Sequence, residues 1–225
     1  MDPIIIDAIT PLVEAFKTTP DTELEGSIGV FGPTGYVPGV PFDYFERLYK
    51  TCDPTSSVWS RVDEKVPIVT YLFPDDIRAR SIASKSLTYV RKRRLKRVDL
   101  TVARRPLDLR ITLSTETPLQ YCDAKWTQVR LHERWTLYYK NTWRFDFTKV
   151  VSGSCKEAAC RSSPLFEIEV ELLRTTETVD TPASRLAESL YLKLLDLLGR
   201  YDCTGTAIPF DCRLKREWTR ATGQR

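Results

Sequence analysis

The stretch Phe166-Glu167-Ile168-Glu169-Val170-Glu171-Leu172 alternates bulky apolar residues with three glutamates. Because successive side chains of a β-strand point to opposite faces, a strand here carries its glutamates in one row and its apolar side chains in the other. Carboxylates in one row repel one another unless cations lie opposite, and hard divalent metals accept oxygen ligands of this kind. A hydrated outer strand shows the same alternation, so the other segments must decide between the two interpretations.

The same two-residue period recurs along the chain. Near the amino terminus, Glu23, Glu25 and Ser27 share one face of residues 22–30. Later segments put basic residues into the polar row: Arg110 with Glu116, then Arg130, His132 and Arg134, and then Arg144 with Asp146. Each segment therefore combines an apolar face with a face of mixed charge.

Two arrangements accommodate such strands. In a sandwich the apolar faces meet in a core and the charged faces look outward. In a barrel with a polar interior the charged faces line a lumen, and about eight strands enclose a small ligand. Residues 191–198 (YLKLLDLL) are too apolar for a hydrated helix, and residues 4–16 are amphipathic. Both can form an outer layer against the apolar strand faces, which favours the barrel.

Local signals predict a mainly β fold with flanking helices. We expect helices at 3–17 and 42–51, and a late helix that Thr181-Pro182 opens and Gly199 closes. A glycine- and proline-containing loop follows the first strand, at 32–41. The predicted strands are 22–31, 66–73, 76–83, 86–95, 97–103, 107–117, 127–140, 142–151 and 164–174.

Composition narrows the class of protein. The 225 residues contain no linker or repeat, so we expect one domain over 1–225 with a basic tail from about 203. Six cysteines without a signal segment predict an intracellular protein with reduced thiols, and no apolar stretch has the length of a membrane span. The location that we expect within the cell is the nucleus. The sequence lacks the motifs of a zinc site, of a phosphate-binding glycine loop and of a Ser-His or Cys-His mechanism. Six basic residues in 89–97 join the polar rows of the β-rich region.

The order of these strands resembles the metal-dependent RNA 5′-triphosphatases of fungi, protozoa and large DNA viruses, which are triphosphate tunnel metalloenzymes. The resemblance rests on the Glu23/Glu25 pair, the strand 143–148 (WRFDFT) and the late Glu-x-Glu-x-Glu, and it spans about 23–171. Relatives that hydrolyse thiamine triphosphate or polyphosphate usually begin Glu-x-Glu-x-Lys, whereas this chain has Ser27 at the lysine position. Residues 1–225 contain no Lys-x-Asp-Gly, the nucleotidyl-lysine motif of a guanylyltransferase, so the chain resembles a free-standing triphosphatase or a domain of a larger capping protein.

The resemblance implies a closed eight-stranded antiparallel barrel that removes the γ-phosphate of triphosphate-ended RNA, the first step of mRNA cap formation. It implies Mn²⁺ or Mg²⁺ on Glu23, Glu25 and Glu171, with Glu169 and Asp146 acting through metal-bound water and Glu116 positioning the attacking water. The catalytic set that we predict is Glu116, Arg134, Arg144, Asp146, Glu167 and Glu169. The predicted phosphate ligands are Arg78 or Arg80, Lys92 or Arg94, Arg110, His132, Arg134 and Arg144; the family usually has lysine at the His132 position.

Two other functions fit the same residues. A tunnel phosphatase for free nucleoside triphosphates, inorganic triphosphate or polyphosphate needs the same charges, because such a lumen binds phosphates and not bases. A non-catalytic barrel could bind RNA or another anion through its arginine rows, although it would not need glutamates in line with them. The expected partners are triphosphate-ended RNA and a separate guanylyltransferase, with no membrane.

Overall fold

A computed structural model describes residues 2–103, 105–199 and 212–215. These residues form five helices and ten strands. The helices are α1 (Pro3–Thr18), α2 (Phe42–Thr51), α3 (Lys156–Cys160), α4 (Thr176–Asp180) and α5 (Ala183–Leu197). The strands are β1 (Thr22–Gly32), β2 (Gly35–Pro38), β3 (Trp59–Leu72), β4 (Ile77–Ile82), β5 (Thr88–Val102), β6 (Asp108–Leu119), β7 (Gln128–Tyr139), β8 (Trp143–Gly153), β9 (Leu165–Leu172) and β10 (Cys212–Leu214).

Eight of the strands close into an antiparallel barrel. Around the barrel the order is β1-β6-β5-β4-β3-β7-β8-β9, and β9 pairs with β1 again. The short strands β2 and β10 extend it from β1 and β5. Closure leaves the eight main strands without a free edge. The predicted barrel is confirmed.

The apolar strand faces point outward and form the hydrophobic core with the helices. Asp2 caps the amino terminus of helix α1, because its side chain accepts a hydrogen bond from the Ile4 amide. The helix buries an apolar stripe that runs from Ile5 to Phe16. Helix α5 packs beside α1, and both lie against β1. Phe45 of α2 packs on Phe147 and Phe166 of the barrel wall. The orientation that the two-residue period predicts is therefore correct.

A glycine sets the distance between α5 and the barrel. A Cβ atom on Gly26 would lie 2.6 Å from Leu194 Cδ1, closer than packed carbon atoms approach. Gly26 lies between Glu25 and Ser27 on β1, and it faces the helix whereas those two side chains face the lumen. The missing side chain therefore lets α5 pack directly on the strand that carries the first glutamates.

Several boundaries differ from the prediction. Segments 86–95 and 97–103 form one strand, β5, with a bulge between Arg94 and Lys96 that breaks the alternation. Strand β3 begins at Trp59 rather than 66, because a register shift between Asp63 and Val66 obscures its period. The predicted loop 32–41 contains β2, and the short helices α3 and α4 were not predicted. Apart from 212–215, the basic tail from 203 lies outside the described residues. Among the described helices, none is long and apolar enough to span a membrane.

Candidate active site in the barrel lumen

The lumen is a cavity of about 700 Å³ whose lining is mostly charged. The structure brings almost all of the predicted site residues onto this surface: Glu23, Glu25, Arg78, Arg80, Lys92, Arg94, Arg110, His132, Arg134, Arg144, Glu167, Glu169 and Glu171. The two remaining predicted residues are Asp146, which is buried, and Glu116, which is partly buried, and both form ion pairs with these side chains. Pairing between strands that are distant in the chain thus brings residues separated by 90 or more positions into one site.

One side of the lumen carries the glutamates of β1 and β9, which we call the carboxylate wall (Glu23, Glu25, Glu167, Glu169 and Glu171). In the strand register Glu25 lies opposite Glu171, and Ser27 lies opposite Glu169. Burial, with a further contribution from neighbouring carboxylates, raises the pKa of Glu25 to about 7 and that of Glu171 to about 8. The charged forms of Glu25 and Glu171 are therefore disfavoured where these side chains lie.

A single lysine bridges the carboxylate wall to β6. Lys92 Nζ forms an ion pair with Glu23 and lies 3.5 Å from Glu25 and 3.4 Å from Glu116. Burial opposes the lysine charge, but the three carboxylates outweigh burial and raise the pKa of Lys92. In return, Lys92 outweighs the effect of burial on Glu23, whose pKa is lowered. Of the two predicted candidates, Lys92 thus holds the carboxylates, while the more exposed Arg94 lines the cavity as well.

Asp146 is the most buried carboxylate of the site, with 2% of its surface exposed. It accepts hydrogen bonds from Arg134 Nη1 at 2.9 Å, from Arg144 Nε at 3.0 Å and from the Thr136 hydroxyl at 2.7 Å. Arg144 also forms an ion pair with Glu171. Asp146 therefore fixes the orientation of two guanidinium groups, so that they present their remaining N–H groups to the lumen.

The chemistry of the carboxylate wall fits a divalent cation. Glu23, Glu25 and Glu171 lie on adjacent strands, and burial disfavours the charged forms of Glu25 and Glu171, an effect that a bound cation would offset. Oxygen donors of this kind suit Mg²⁺ or Mn²⁺. Among the described residues, no group of three or more His, Cys, Asp or Glu side chains has converged into a finished metal site. Lys92 and Arg144 hold these glutamates instead, so a cation would have to compete with both side chains.

The opposite side of the lumen, the basic wall, consists of Arg78 and Arg80 on β4 and Arg130, His132 and Arg134 on β7. Burial and the adjacent Arg80 lower the pKa of Arg78. Burial and the four surrounding arginines lower the pKa of His132 to about 3, so its imidazole is neutral at pH 7. Both imidazole nitrogens are buried, and neither bonds to a described residue. The basic wall therefore has unused capacity for an anion.

Two further ion pairs between an arginine and a carboxylate complete the lining. The sequence did not reveal which carboxylate each arginine contacts. Arg130 Nη2 donates to Glu167 at 2.7 Å, which ties the basic wall to the carboxylate wall. Arg110 donates through two nitrogens to Asp99, at 2.7 and 2.9 Å. The polar row of β7 contained Arg130, but the resemblance did not assign it a role. Asp99 follows the β-bulge of β5, and the bulge hides its alternation.

Comparison with known proteins agrees with this geometry. A family model described as mRNA capping enzyme, beta chain, an mRNA triphosphatase, matches residues 76–189, just over half of the chain. The chain belongs to this family. The matched residues extend from β4 into α5, so the mRNA triphosphatase match contains the whole basic wall and the glutamates of β9. A search of curated proteins found no significant match.

Solved structures share the fold of this mRNA triphosphatase family member. The RNA triphosphatase Pct1 of S. pombe superposes with a TM-score of 0.72 at 16% identity, over 90% of this chain and 95% of that one. The Mimivirus capping enzyme triphosphatase superposes with a TM-score of 0.60 at 13% identity, over 88% and 98%. At such identities the likeness establishes the triphosphate tunnel fold, and the residue roles rest on the lumen itself.

Proposed function

We propose that this chain is an RNA 5′-triphosphatase that hydrolyses the γ-phosphate of triphosphate-ended RNA as the first step of mRNA capping. Membership of the mRNA triphosphatase family supports this substrate. The observation that carries the proposal is the lumen, in which the carboxylate wall faces a basic wall whose histidine nitrogens bond to no described residue. A metal–triphosphate complex supplies charge of both signs at once.

The basic wall would bind and orient the phosphates. Arg78, Arg80 and Arg134 present planar guanidinium groups, each of which can hold two phosphate oxygens. A neutral His132 would donate one hydrogen bond to a phosphate oxygen without adding charge. Thr148 and Asp146 hold the Arg134 guanidinium before the substrate arrives, in a confined site where electrostatic stabilisation of the transition state is strong.

Glu23, Glu25 and Glu171 would hold Mn²⁺ or Mg²⁺, and Asp146 and Glu169 would act through its water shell. When bound, the metal supplies positive charge that stabilises the phosphate oxygens in the transition state. The donor chemistry supports either ion, because oxygen ligands bind both Mn²⁺ and Mg²⁺. The nuclear location also stays a prediction.

Glu116 is the residue that we assign to the attacking water. Its Oε1 atom is buried and accepts no hydrogen bond from a described residue, although Lys92 lies 3.4 Å away and Arg80 3.9 Å away. A buried carboxylate oxygen with free acceptor capacity can orient a water molecule for in-line attack on the γ-phosphorus. The two neighbouring cations hold this carboxylate in place.

The test is release of phosphate from γ-labelled triphosphate RNA, with Mn²⁺, with Mg²⁺ and with excess chelator. We expect release with either metal and none with chelator, and full activity in chelator would contradict the metal proposal. Inorganic triphosphate and ATP belong in the same assay, because the lumen contacts phosphates and does not exclude these substrates. A higher kcat/KM for either of them than for RNA would favour the tunnel phosphatase alternative. The RNA diphosphate product would pass to a separate guanylyltransferase.

A further inference from the structure

The cavity extends from Glu116 in one direction along the barrel. The residues of β6 that line it are Arg110, Thr112 and Ser114, which all lie on the same side of Glu116. That side leads to the end of the barrel that carries the β1–β2 hairpin, the hairpin end, where Arg110 lies opposite Ser27. In-line attack places the leaving oxygen on the far side of the phosphorus from the attacking water. With the water at Glu116, the rest of the substrate therefore extends toward the hairpin end.

Side chains fill the hairpin end next to β1. The Tyr36 hydroxyl oxygen lies 3.0 Å from Ser27 Oγ, and a Cβ atom on Gly29 would lie 2.8 Å from the Tyr36 ring. The Arg110 guanidinium lies 4.4 Å from the centre of the same ring and donates through two nitrogens to Asp99. A phosphate chain that followed β1 would meet this stack, so the way out of the lumen lies on another side.

Exposed residues mark an opening beside β5. Among the described residues that line the cavity, the exposed ones are Asp76, Arg93 and Arg94. They lie together, because the Asp76 carbonyl oxygen accepts a hydrogen bond from the Lys92 amide at 3.0 Å, just before β4 begins. One edge of β5 pairs first with β4 and later with β10, and between them, from Arg93 to Val98, no described strand pairs with it. The lumen therefore opens over this edge.

Basic side chains without acidic partners surround the opening. We call Arg93, Arg94 and Lys96 the exit cluster; all three are exposed, and none forms an ion pair with a described residue. The bulge after Arg94 distributes them over both faces of β5. Arg94 lies opposite Ser114 of the lumenal row, whereas Lys96 lies opposite Leu113 of the outer row. The exit cluster thus leads from the lumen to the outer surface.

The charge at the opening suits a flexible polyanion. Arg91, next to the exit cluster, has a buried Nε that donates to no described residue, and Asp76 is the acid among the exposed lining residues. Basic grooves of this kind follow the backbone of single-stranded nucleic acids, and arginine also stacks on their bases. A triphosphate in the lumen would bring the nucleotides attached to it to this place. Inorganic triphosphate has no chain beyond its third phosphate and would end inside the lumen.

We propose that the exit cluster binds the backbone phosphates of the first RNA nucleotides and gives this chain a preference for triphosphate-ended RNA over free triphosphates. The inference rests on the proposed function. It divides the substrate between two sites. The lumen binds the triphosphate, which all of these substrates share, and the exit cluster binds the chain that RNA adds. Loss of the exit cluster should therefore weaken RNA binding more than it weakens binding of inorganic triphosphate.

The experiment measures the Kd of a short, fluorescent, unstructured triphosphate RNA by anisotropy, with the full chain in excess chelator to prevent hydrolysis. The variant is Arg93→Ala combined with Lys96→Ala. Its Kd at about 0.1 M salt should rise by about tenfold or more. The slope of log Kd against log salt should fall by about 1.4, because each contact with a single-stranded backbone contributes about 0.7. With Mn²⁺, the ratio of kcat/KM for RNA to kcat/KM for inorganic triphosphate should fall as well.

Two further proteins complete the test. Lys85→Ala combined with Arg185→Ala also removes one lysine and one arginine, both exposed, between β4 and β5 at the opposite end of the barrel and on α5. This control should keep the wild-type Kd and slope. Arg93→Lys keeps the charge and should keep the slope too.

The overturning results are specific to the exit cluster. An unchanged Kd and slope in the Arg93/Lys96 double variant, with its fold checked by circular dichroism, would overturn the inference. An equal loss in the Lys85/Arg185 control would overturn it too, because the effect would then come from net charge. A wild type that hydrolyses inorganic triphosphate but leaves triphosphate RNA intact would instead overturn the proposed function, and the anisotropy measurements would still test the exit cluster.

Discussion

The two walls of the lumen differ in how their charges are compensated. On the carboxylate wall, basic side chains already contact the glutamates, and yet burial and mutual repulsion still raise the pKa values of Glu25 and Glu171. On the basic wall, the pKa of Arg78 is lowered and His132 is neutral with both nitrogens unbonded to described residues. One wall therefore gains from an added cation and the other from an added anion, so metal and phosphate should each increase the affinity of the other.

The largest effect should come from the carboxylate wall. Glu171→Gln removes a charged oxygen donor and leaves the size of the side chain unchanged, so turnover should fall by about three orders of magnitude, or about 4 kcal/mol in the barrier. Phosphate release from γ-labelled RNA measures it. Glu157→Gln, on the exposed face of α3, is the matched control and should keep the wild-type rate. A normal rate for Glu171→Gln would contradict the assignment of a metal site to the carboxylate wall.

Two neighbours on β9 separate the lumenal row from the outer row. Ile168, 1% exposed, belongs to the hydrophobic core, so Ile168→Ala should lower the free energy of unfolding by about 3 kcal/mol. Its activity per folded molecule should stay near normal. Glu169→Ala should instead slow hydrolysis strongly and leave the melting temperature equal or higher, because it relieves repulsion on the carboxylate wall. Urea denaturation, thermal melts and single-turnover rates of both variants test this pair. Equal effects of the two substitutions on stability and on rate would contradict the orientation of the strand.

A substitution on the basic wall should show that positive charge alone is not sufficient for full catalytic activity. Arg134→Lys keeps the positive charge but loses the planar group that Asp146 orients, and kcat should fall by about tenfold to a hundredfold. Steady-state kinetics with triphosphate RNA provide the measurement. Arg185→Lys, exposed on α5, is the control for an arginine outside the lumen. Full activity of Arg134→Lys would mean that this position supplies only a point charge.

The smallest effect tests the neutral imidazole through the stability of the protein. The pKa of His132 is about 3 in the folded state, against 6.5 as its usual value. Its contribution to stability is therefore complete above pH 6.5 and is lost as the pH falls from there toward 3, because the unfolded chain binds the proton first. Between pH 7 and 5.5 the wild type should lose about 1.2 kcal/mol relative to His132→Gln. Urea denaturation at both pH values measures this difference, and equal losses in the two proteins would mean that the pKa of His132 is not lowered in the folded state.

The alternation of apolar and charged residues was sufficient to predict most of the barrel. It placed β1, β6, β7, β8 and β9 within a few residues and assigned their faces correctly, because a two-residue period survives any tertiary context in which one face is buried. It failed where the backbone departs from that period. The bulge beside Arg94 split β5 into two predicted strands, and Lys65, with a φ of 49°, interrupts β3.

The candidate site was predictable as a set of residues but not as a set of partners. Periodicity and resemblance together identified the lumenal glutamates and arginines. Which base contacts which acid depends on strand order and register, so the pairs Arg130–Glu167 and Arg110–Asp99 became visible only in the folded barrel. Tyr36 was missed for another reason. Its hairpin contains glycine and proline and reads as a loop, and nothing local indicates that the ring folds back over Gly29.

Gly26 shows how the outer layer can restrict mutation of the active site. Its neighbours Glu25 and Ser27 face the lumen, while Leu194 of α5 fills the place of its side chain. Alanine at position 26 must displace the Leu194 side chain, and where the packed core leaves that side chain no room, the helix or the strand with both neighbours must shift. A search of random variants should therefore recover substitutions at Gly26 only together with a smaller residue at 194. These two positions, one in each layer, would have to change as a pair.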